Sequence, residues 1–408
     1  MSELSPATTT PVAREFDVVV LGAGMVGSLF ALLLTRDPAA RALRVAVIDA
    51  EQSSLPAADA PFDLRVSAIT RASEDLIARA GCGPALAAQR LCRFTDMEVW
   101  DADGTGRVHF SAGEVGESHL GLLVENRILQ AVLCEQLWRQ PTVTAYCPRR
   151  LHSLQRLRHG WQVTLADGEV LSAPLVIGAD GANSRVRDAA GLSVSTWDYE
   201  QKGLVCTVTT ERSHRHTAWQ RFLPDGPLAF LPLADEHQCS IVWTLPTSEA
   251  ERLQALPAAE FAAELGRAFE HRLGAITATG ARAAFPLLAR HAEQYTREGV
   301  ALIGDAAHSI HPLAGQGVNL GLLDAGVLAD ELLAVLKAGL PVDHARALSR
   351  YSRQRRGHNA LLMHGMTGFE RLFAARDSGL RVLRNSGMRL FDRSGLLKQW
   401  VMRTAIGR

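Results

Sequence analysis

The segment GVALIGDAAHSIHPLAGQGVNLG, residues 299–321, sets a carboxylate, a glycine-rich turn and a helix start directly after an apolar strand. Residues 300–303 read as a buried strand, Asp305 stands at its carboxyl end, and Gly315, Gln316 and Gly317 open a helix. Free N–H groups at that helix start can face an anion or a polarised ring, and the carboxylate can accept hydrogen bonds from hydroxyls. Taken alone, the pattern describes many strand-to-helix turns.

Two further motifs narrow it. FDVVVLGAGMVG gives Gly22, Gly24 and Gly27 the spacing GxGxxG, after an apolar strand and at the opening of an apolar helix. The first glycine permits the tight turn, the second lets backbone approach a pyrophosphate, and the third lets helix and strand pack closely. Asp49 ends the next strand, RVAVID, 22 positions after Gly27, where an acid can accept hydrogen bonds from an adenosine ribose. The third motif, LVIGADGANSRVR, is again a strand, ending at Gly178, Asp180 and Gly181, with Arg185 and Arg187 entering a helix. An Asp-Gly pair alone reads as a surface turn. In series, the three motifs imply dinucleotide binding.

The elements that position these residues alternate strand and helix over residues 16–60, 175–187 and 300–336, as expected of one parallel sheet interrupted by insertions. Residues 63–80 read as a loop and helix. Residues 97–124 and 204–245 are rich in β-branched and aromatic runs broken by turns such as Asp103-Gly104, which predicts a mainly antiparallel sheet over the nucleotide domain. A helix is expected over residues 258–273, and a helical region from Pro341 onward.

The motifs in this order, over nearly the whole chain from Phe16, resemble the flavoprotein aromatic hydroxylases. The stretches DLRVSAITRASEDL (63–76), MEVWDADGTGRVHF (97–110), SHLGLLVEN (118–126), FLPLADEHQCSIVW (230–243) and HPLAGQGVNLG are similar to the ubiquinone-biosynthesis hydroxylases, which are class A aromatic monooxygenases. Within that group they look most like the branch acting on the 6-position of 2-polyprenylphenols. The resemblance implies an α/β fold of the para-hydroxybenzoate hydroxylase type: a Rossmann-like FAD domain (15–190 and 285–340), an inserted antiparallel substrate domain (191–284, with 92–124 contributing to its sheet), and a helical C-terminal region (341–408).

It also implies chemistry. FAD is the cofactor, NAD(P)H a transient reductant, and O₂ the oxidant, captured as a C4a-hydroperoxide that hydroxylates a polyprenylphenol ring away from water. Gly22, Gly24, Gly27 and Asp49 would hold the ADP half, and Asp305 the ribityl chain. Pro312, Leu313, Ala314, Gly315, Gln316 and Gly317, with Asn319, would lie against the isoalloxazine, where helix N–H groups stabilise negative charge on the ring. Arg65 would stand by the flavin, with a surface ion pair as its alternative use. Asp180 and Arg185 would serve both the pyrophosphate and a passing NAD(P)H, since no second GxGxxG is present. Glu125 and Asn126 begin a helix near the cleft, where Asn126 has an N-cap role as its alternative. No side chain stands out as a catalytic base.

Other chemistries fit less well. His308 and His311 lie three apart, but nothing nearby completes a metal triad, so a structural or flavin-side histidine is the better reading. His214 and His216 read as exposed. Six scattered cysteines without a CxxC pair argue against a disulfide framework, a zinc site and the disulfide reductases. Hydrophobic residues at 47% fit a globular enzyme, residues 1–15 read as a disordered lead-in without a signal-peptide core, and no apolar run reaches the roughly 18 residues of a membrane span. A cytoplasmic location, or one against the inner face of the membrane, follows.

Zero net charge conceals an asymmetry: residues 341–408 hold 14 basic and 4 acidic residues, the remainder 29 and 39. With Leu380, Leu383, Leu396, Leu397, Trp400 and Val401 at helical spacing, a tail carrying Arg389, Arg393 and Lys398 can meet anionic lipid or a quinone-pathway protein. A solvated outer face of a packed helical domain is the alternative. Nucleic acid does not fit, because no aromatic-basic module accompanies the charge. Among functions, a hydroxylase of another ring position or of another aromatic, a prenyl-lipid reductase on the same fold, and a flavin-bearing assembly subunit without turnover remain open.

Overall fold

A computed structural model of the chain describes residues 13–309, 317–374 and 377–408. All three motif strands lie in one parallel sheet, ordered Val143–Tyr146, Val45–Ile48, Val18–Leu21, Leu175–Gly178 and Val300–Leu302, with Thr296–Arg297 added antiparallel at the edge. Val18–Leu21 and Leu175–Gly178 are buried at every position, as strands covered on both faces must be. Helices Met25–Thr35, Asn126–Leu137 and Gly317–Lys337 contribute to that cover through Leu29, Leu32, Leu129, Leu133, Leu328 and Leu332.

The second large sheet has eight strands. Val194–Thr210 and Ile276–Ala292, each 17 residues long, pair antiparallel and run from the nucleotide domain into the insertion. Beyond them lie Gln238–Pro246, Gly226–Pro232, Thr217–Leu223, Asp96–Asp101 and Arg107–Ser111, and His308–Ser309 adds to the other edge. Alternation decides the two faces. Leu204, Cys206, Leu228, Phe230 and Ile241 pack on Leu253, Phe261 and Leu265 of helices Thr247–Ala255 and Ala258–Ala268. Ala229, Leu231 and Val242 turn the other way, onto Ala68, Cys92 and Leu123.

Several local expectations change. Val66–Thr70 is a strand preceding helix Arg71–Arg79, because its β-branched residues pair with Gly121–Glu125 in a separate three-stranded sheet. Of residues 92–124, therefore, only Asp96–Asp101 and Arg107–Ser111 sit in the eight-stranded sheet. Gly121–Glu125 is buried at all five positions, which suits a strand wedged between two cores. Arg14–Glu15 pairs parallel with Val170–Ala173, so these two residues of the expected lead-in belong to the fold, and residues 1–12 lie outside the described residues. His214 is buried, not exposed: its Nε2 donates to the carbonyls of Leu233 and Asp235 at 3.1 Å, and its Nδ1 accepts from His216 N–H. Burial lowers its pKa and keeps it neutral.

The C-terminal region forms helices Ala345–Ala374, Ser378–Asp392 and Leu396–Ile406. A buried ion pair docks the second of these onto the sheet. Arg384 donates to Asp101 from Nε at 2.7 Å and pairs through Nη2 at 2.6 Å, and Asn385 Nδ2 adds a 3.0 Å bond to the same carboxylate. Replacing Asp101 by Ala strands a buried guanidinium, which costs about 3–5 kcal/mol. Denaturant unfolding should register that loss, and a change below about 1 kcal/mol would remove the pair from the account of how this region docks.

Candidate cofactor and active site

The glycine-bearing strand ends meet at one cleft. Gly22 takes φ +103°, and a Cβ on it would lie 2.2 Å from the Ala179 carbonyl oxygen. One on Gly27 would lie 2.0 Å from the Gly22 carbonyl oxygen. The first motif is thus seated against the second. Gly321 does the same for the third, where a Cβ would stand 2.7 Å from Val26 Cγ2 and 3.0 Å from Gly304 Cα. Gly24, by contrast, faces open space at the start of helix Met25–Thr35, whose first turn has no side-chain cap. Free N–H groups and a missing side chain are what a pyrophosphate needs.

Around this cradle the carboxylates divide by partner. Asp49 accepts from Ala23 N–H at 2.6 Å and Glu51 N–H at 2.9 Å, so it braces the glycine turn at the position where a ribose would sit. Asp180 accepts from Ser184 Oγ at 2.5 Å, Arg185 N–H at 2.7 Å and Val186 N–H at 3.2 Å, capping helix Arg185–Ala189. Burial raises its pKa against the pull of those donors. Arg185 turns its guanidinium to the carbonyls of Leu151 and His152.

Asp305 differs from both. It opens onto the cleft, and no described residue donates a hydrogen bond to it. Enough protein still surrounds it for burial to raise its pKa, outweighing the attraction of His308, Arg65 and Arg290. Arg65 and Asp305 therefore share one field. The Arg65 guanidinium also lies 5.5 Å over the ring of Phe285, a residue of the long strand Ile276–Ala292.

Asn319 has partners within the protein. Its Nδ2 donates to Ala68 O at 2.7 Å and its Oδ1 accepts from Thr70 N–H at 2.9 Å, so its amide fastens helix Gly317–Lys337 to strand Val66–Thr70. Gly317 begins that helix with open space where a side chain would be. His311, Pro312, Leu313, Ala314, Gly315 and Gln316 lie outside the described residues. Glu125 occupies the N-cap position of helix Asn126–Leu137 without capping it through its side chain. Its buried carboxylate instead accepts from Arg90 Nε at 2.6 Å, Arg127 Nη2 at 2.8 Å and Asp63 N–H at 2.7 Å. Asn126 accepts from Ser67 Oγ at 2.7 Å.

Behind the cleft is a cluster that motif reading misses. Asp324, fully buried in helix Gly317–Lys337, accepts through Oδ2 from Gly304 N–H at 3.1 Å and pairs with His308 Nε2 at 2.5 Å. Through Oδ1 it accepts from Arg355 Nε at 2.7 Å and Asn359 Nδ2 at 3.2 Å. Burial would raise this carboxyl, but His308 and Arg355 prevail and hold it below the usual value. The available signal was an aspartate within the apolar run GLLDAGVL. Among the described residues, no three His, Cys, Asp or Glu side chains converge on a metal position. Burial also pushes the thiols of Cys82, Cys92, Cys134 and Cys206 up to about 11, leaving little thiolate at neutral pH.

These residues fit FAD: an open turn with free N–H groups for the pyrophosphate, Asp49 beside it, and at Asp305 an acceptor with no donor among the described residues. Comparison with known proteins agrees. Residues 15–364 match the FAD binding domain family. The chain is 40% identical over 391 residues to the 3-demethoxyubiquinol 3-hydroxylase of Escherichia coli, covering 96% of this chain and 98% of that protein. It is 37% identical to the ubiquinone hydroxylase UbiL of Rhodospirillum rubrum, covering 98% and 93%. The crystal structure of p-nitrophenol 4-monooxygenase PnpA from Pseudomonas putida shares the fold, with a TM-score of 0.76 at 22% identity over 96% of this chain and 97% of that one.

The raised carboxyl of Asp305 gives the site a pH signature. A ligand that hydrogen-bonds to the ionised form lowers the pKa, so FAD binding should release a proton on the acid side and tighten as pH rises through the raised value. Titration of apoprotein with FAD should show that slope. Asp305→Asn should flatten it and weaken binding about tenfold at neutral pH, without lowering the thermal midpoint of the apoprotein. Equal slopes in both proteins would take Asp305 out of the site.

Proposed function

We propose, from the premise that this chain belongs to the FAD binding domain family and within it to the ubiquinone-biosynthesis hydroxylases, that it hydroxylates a phenol or quinol ring bearing a polyprenyl tail. The protein is an FAD-dependent monooxygenase, with NAD(P)H as the reductant usual in the family. The observation that carries the substrate reading is similarity to ubiquinone hydroxylases that runs end to end and includes the insertion, where a substrate domain would differ first.

When bound, FAD supplies reduction by nicotinamide and activation of O₂. The chain's own residues hold and enclose it. Gly22, Gly24, Gly27 and Asp49 would seat the ADP half, with Asp180 shaping the second turn through its bonds to the Arg185 and Val186 N–H groups. Asp305 would accept from the ribityl hydroxyls. Arg65 and the start of helix Gly317–Lys337 would set a positive field for negative charge on the ring, with Asn319 fastening that helix to strand Val66–Thr70. The face of the eight-stranded sheet bearing Ala229, Leu231 and Val242 packs on Ala68 of strand Val66–Thr70, which Asn319 ties to helix Gly317–Lys337. A cavity of 520 Å³ opens between Phe62 and Leu64 on one side and Thr207 and Ala278 of the long strands on the other, with Arg90 and Gln238 also in its lining.

Two ring positions compete. Segment resemblance points to the 6-position of a 2-polyprenylphenol. The 40% identity to a 3-demethoxyubiquinol 3-hydroxylase favours the second reading, the ring carbon beside a methoxyl-bearing one. Short-tailed analogues of both substrates, offered separately to FAD-loaded enzyme with NAD(P)H under ¹⁸O₂, separate them. One analogue should stimulate NAD(P)H oxidation and gain a single labelled oxygen. Label arriving from H₂¹⁸O, or indifference to both rings, would end the hydroxylase reading for this substrate class.

A further inference from the structure

Several of the fourteen cations in the C-terminal region are held by carboxylates of the protein. Arg355 pairs with Asp324, Arg384 with Asp101, and Arg408 with Asp75 and Glu117. Lys398 lies 5% exposed between Glu114 and Asp392 at 2.9 and 3.2 Å, so it belongs to the packed side and not to a docking face. Arg389, Arg393 and Arg403 form a separate group on the last two helices and the turn between them. All three are exposed, and none has a carboxylate partner among the described residues.

These arginines surround an apolar surface without cover. Leu390 is 74% exposed, Leu396 83%, Leu397 54% and Trp400 65%. Leu390 sits in the last turn of helix Ser378–Asp392, and the other three lie in the first turns of helix Leu396–Ile406, across a short connection in which Gly395 adopts φ +52°. The second helix already buries Met402 and Ile406, with Lys398, against the body. Its apolar residues therefore lie on both sides, and only one side is occupied. A helix apolar all round is normally enclosed. Spacing puts Arg403 on the exposed side with Leu396 and Trp400, at i+7 and i+3. Arg389 and Arg393 flank Leu390 one turn apart.

We propose that this helix-turn-helix tip, Leu390, Leu396, Leu397 and Trp400 with Arg389, Arg393 and Arg403, docks on an anionic lipid bilayer. Charge complementarity selects that occupant: three guanidinium groups with no carboxylate partner among the described residues border an indole and three leucines, so phosphate headgroups meet the rim while the apolar tips reach the acyl boundary. Trp suits that depth, with an apolar body and a polar N–H. Among the described residues no helix is long and apolar enough to cross a membrane, so docking is peripheral. The inference rests on the polyprenyl reading for its purpose, delivery of a membrane-borne substrate, while its evidence is the surface itself.

The test uses FAD-loaded protein and vesicles of phosphatidylcholine with or without phosphatidylglycerol. Wild type should sediment with the anionic vesicles alone, release on added salt, and shift its tryptophan emission to the blue, a shift lost in Trp400→Phe. Arg389→Glu/Arg393→Glu/Arg403→Glu should bind on the order of a hundredfold more weakly, as should Leu397→Ser/Trp400→Ser. Both variants should keep FAD content and turnover on a short-tailed ring analogue. Failure of wild type to bind anionic vesicles overturns the proposal, as does unchanged binding by both variants. Self-association that Leu397→Ser/Trp400→Ser abolishes, without vesicle binding, would assign the face to a second copy instead. Loss of turnover on every ring with vesicle binding intact would count against the substrate reading and leave the docking face standing.

Discussion

A single buried carboxylate, Asp324, ties together the parts that must agree for a flavin ring to be held in place. It has no solvent exposure and takes donors from the end of a nucleotide-domain strand at Gly304, from His308, and from Arg355 and Asn359 of helix Ala345–Ala374. An isolated charge at that depth would cost several kcal/mol, so the arrangement persists only while all its partners stay in register. Tyr351 adds a 2.6 Å bond to Leu302 O from the same helix, and Asn359 reaches Tyr295 Oη at 3.3 Å. The C-terminal helix thereby reports on the strand that carries Asp305. Position at the cofactor end of the sheet is set from behind.

Polar groups on the cleft side follow a division of labour. Asp180, Glu125 and Asn319 spend their hydrogen bonds on backbone and side chains of the protein, which fixes turns and helix starts. Asp49 spends part of its capacity that way. Asp305 spends none on described residues, and its raised pKa records how much protein surrounds it. An acceptor with no donor among the described residues, beside carboxylates that are satisfied by the protein, is what the proposed contact with a ligand's hydroxyls rests on.

Much of this was legible in the sequence because glycine spacing and strand-end carboxylates encode backbone geometry directly. Gly22, Gly27, Asp49 and Asp305 needed only local pattern to be singled out, and the parallel sheet followed from alternating strands and helices. The remainder depends on contacts distant in sequence. Asn319 resembles a ring contact in its motif, yet its amide is claimed by Ala68 and Thr70, about 250 positions away. Arg355 in the run RQRRGHN looks like solvated charge and is instead inside, and Lys398 looks like part of a docking face and is held by Glu114. His214 reads as a turn residue until Leu233 and Asp235 enclose it. Composition gave the tail its positive sign, but only packing separates the cations that are spent from those left free.

The claim that Asp324 positions the cofactor end without touching the cofactor is tested most directly by Asp324→Asn, measured by FAD affinity and by stability across acid pH. The substitution keeps shape and removes charge, leaving Arg355 uncompensated. Asp324 has a depressed pKa in the fold, so its contribution is complete above the unfolded value of about 3.8 and fades as pH falls through the folded one. The account expects the variant to bind FAD more weakly and to be less stable at neutral pH, with the stability gap closing at strongly acid pH. Equal FAD affinity together with an equal thermal midpoint at neutral pH would contradict it.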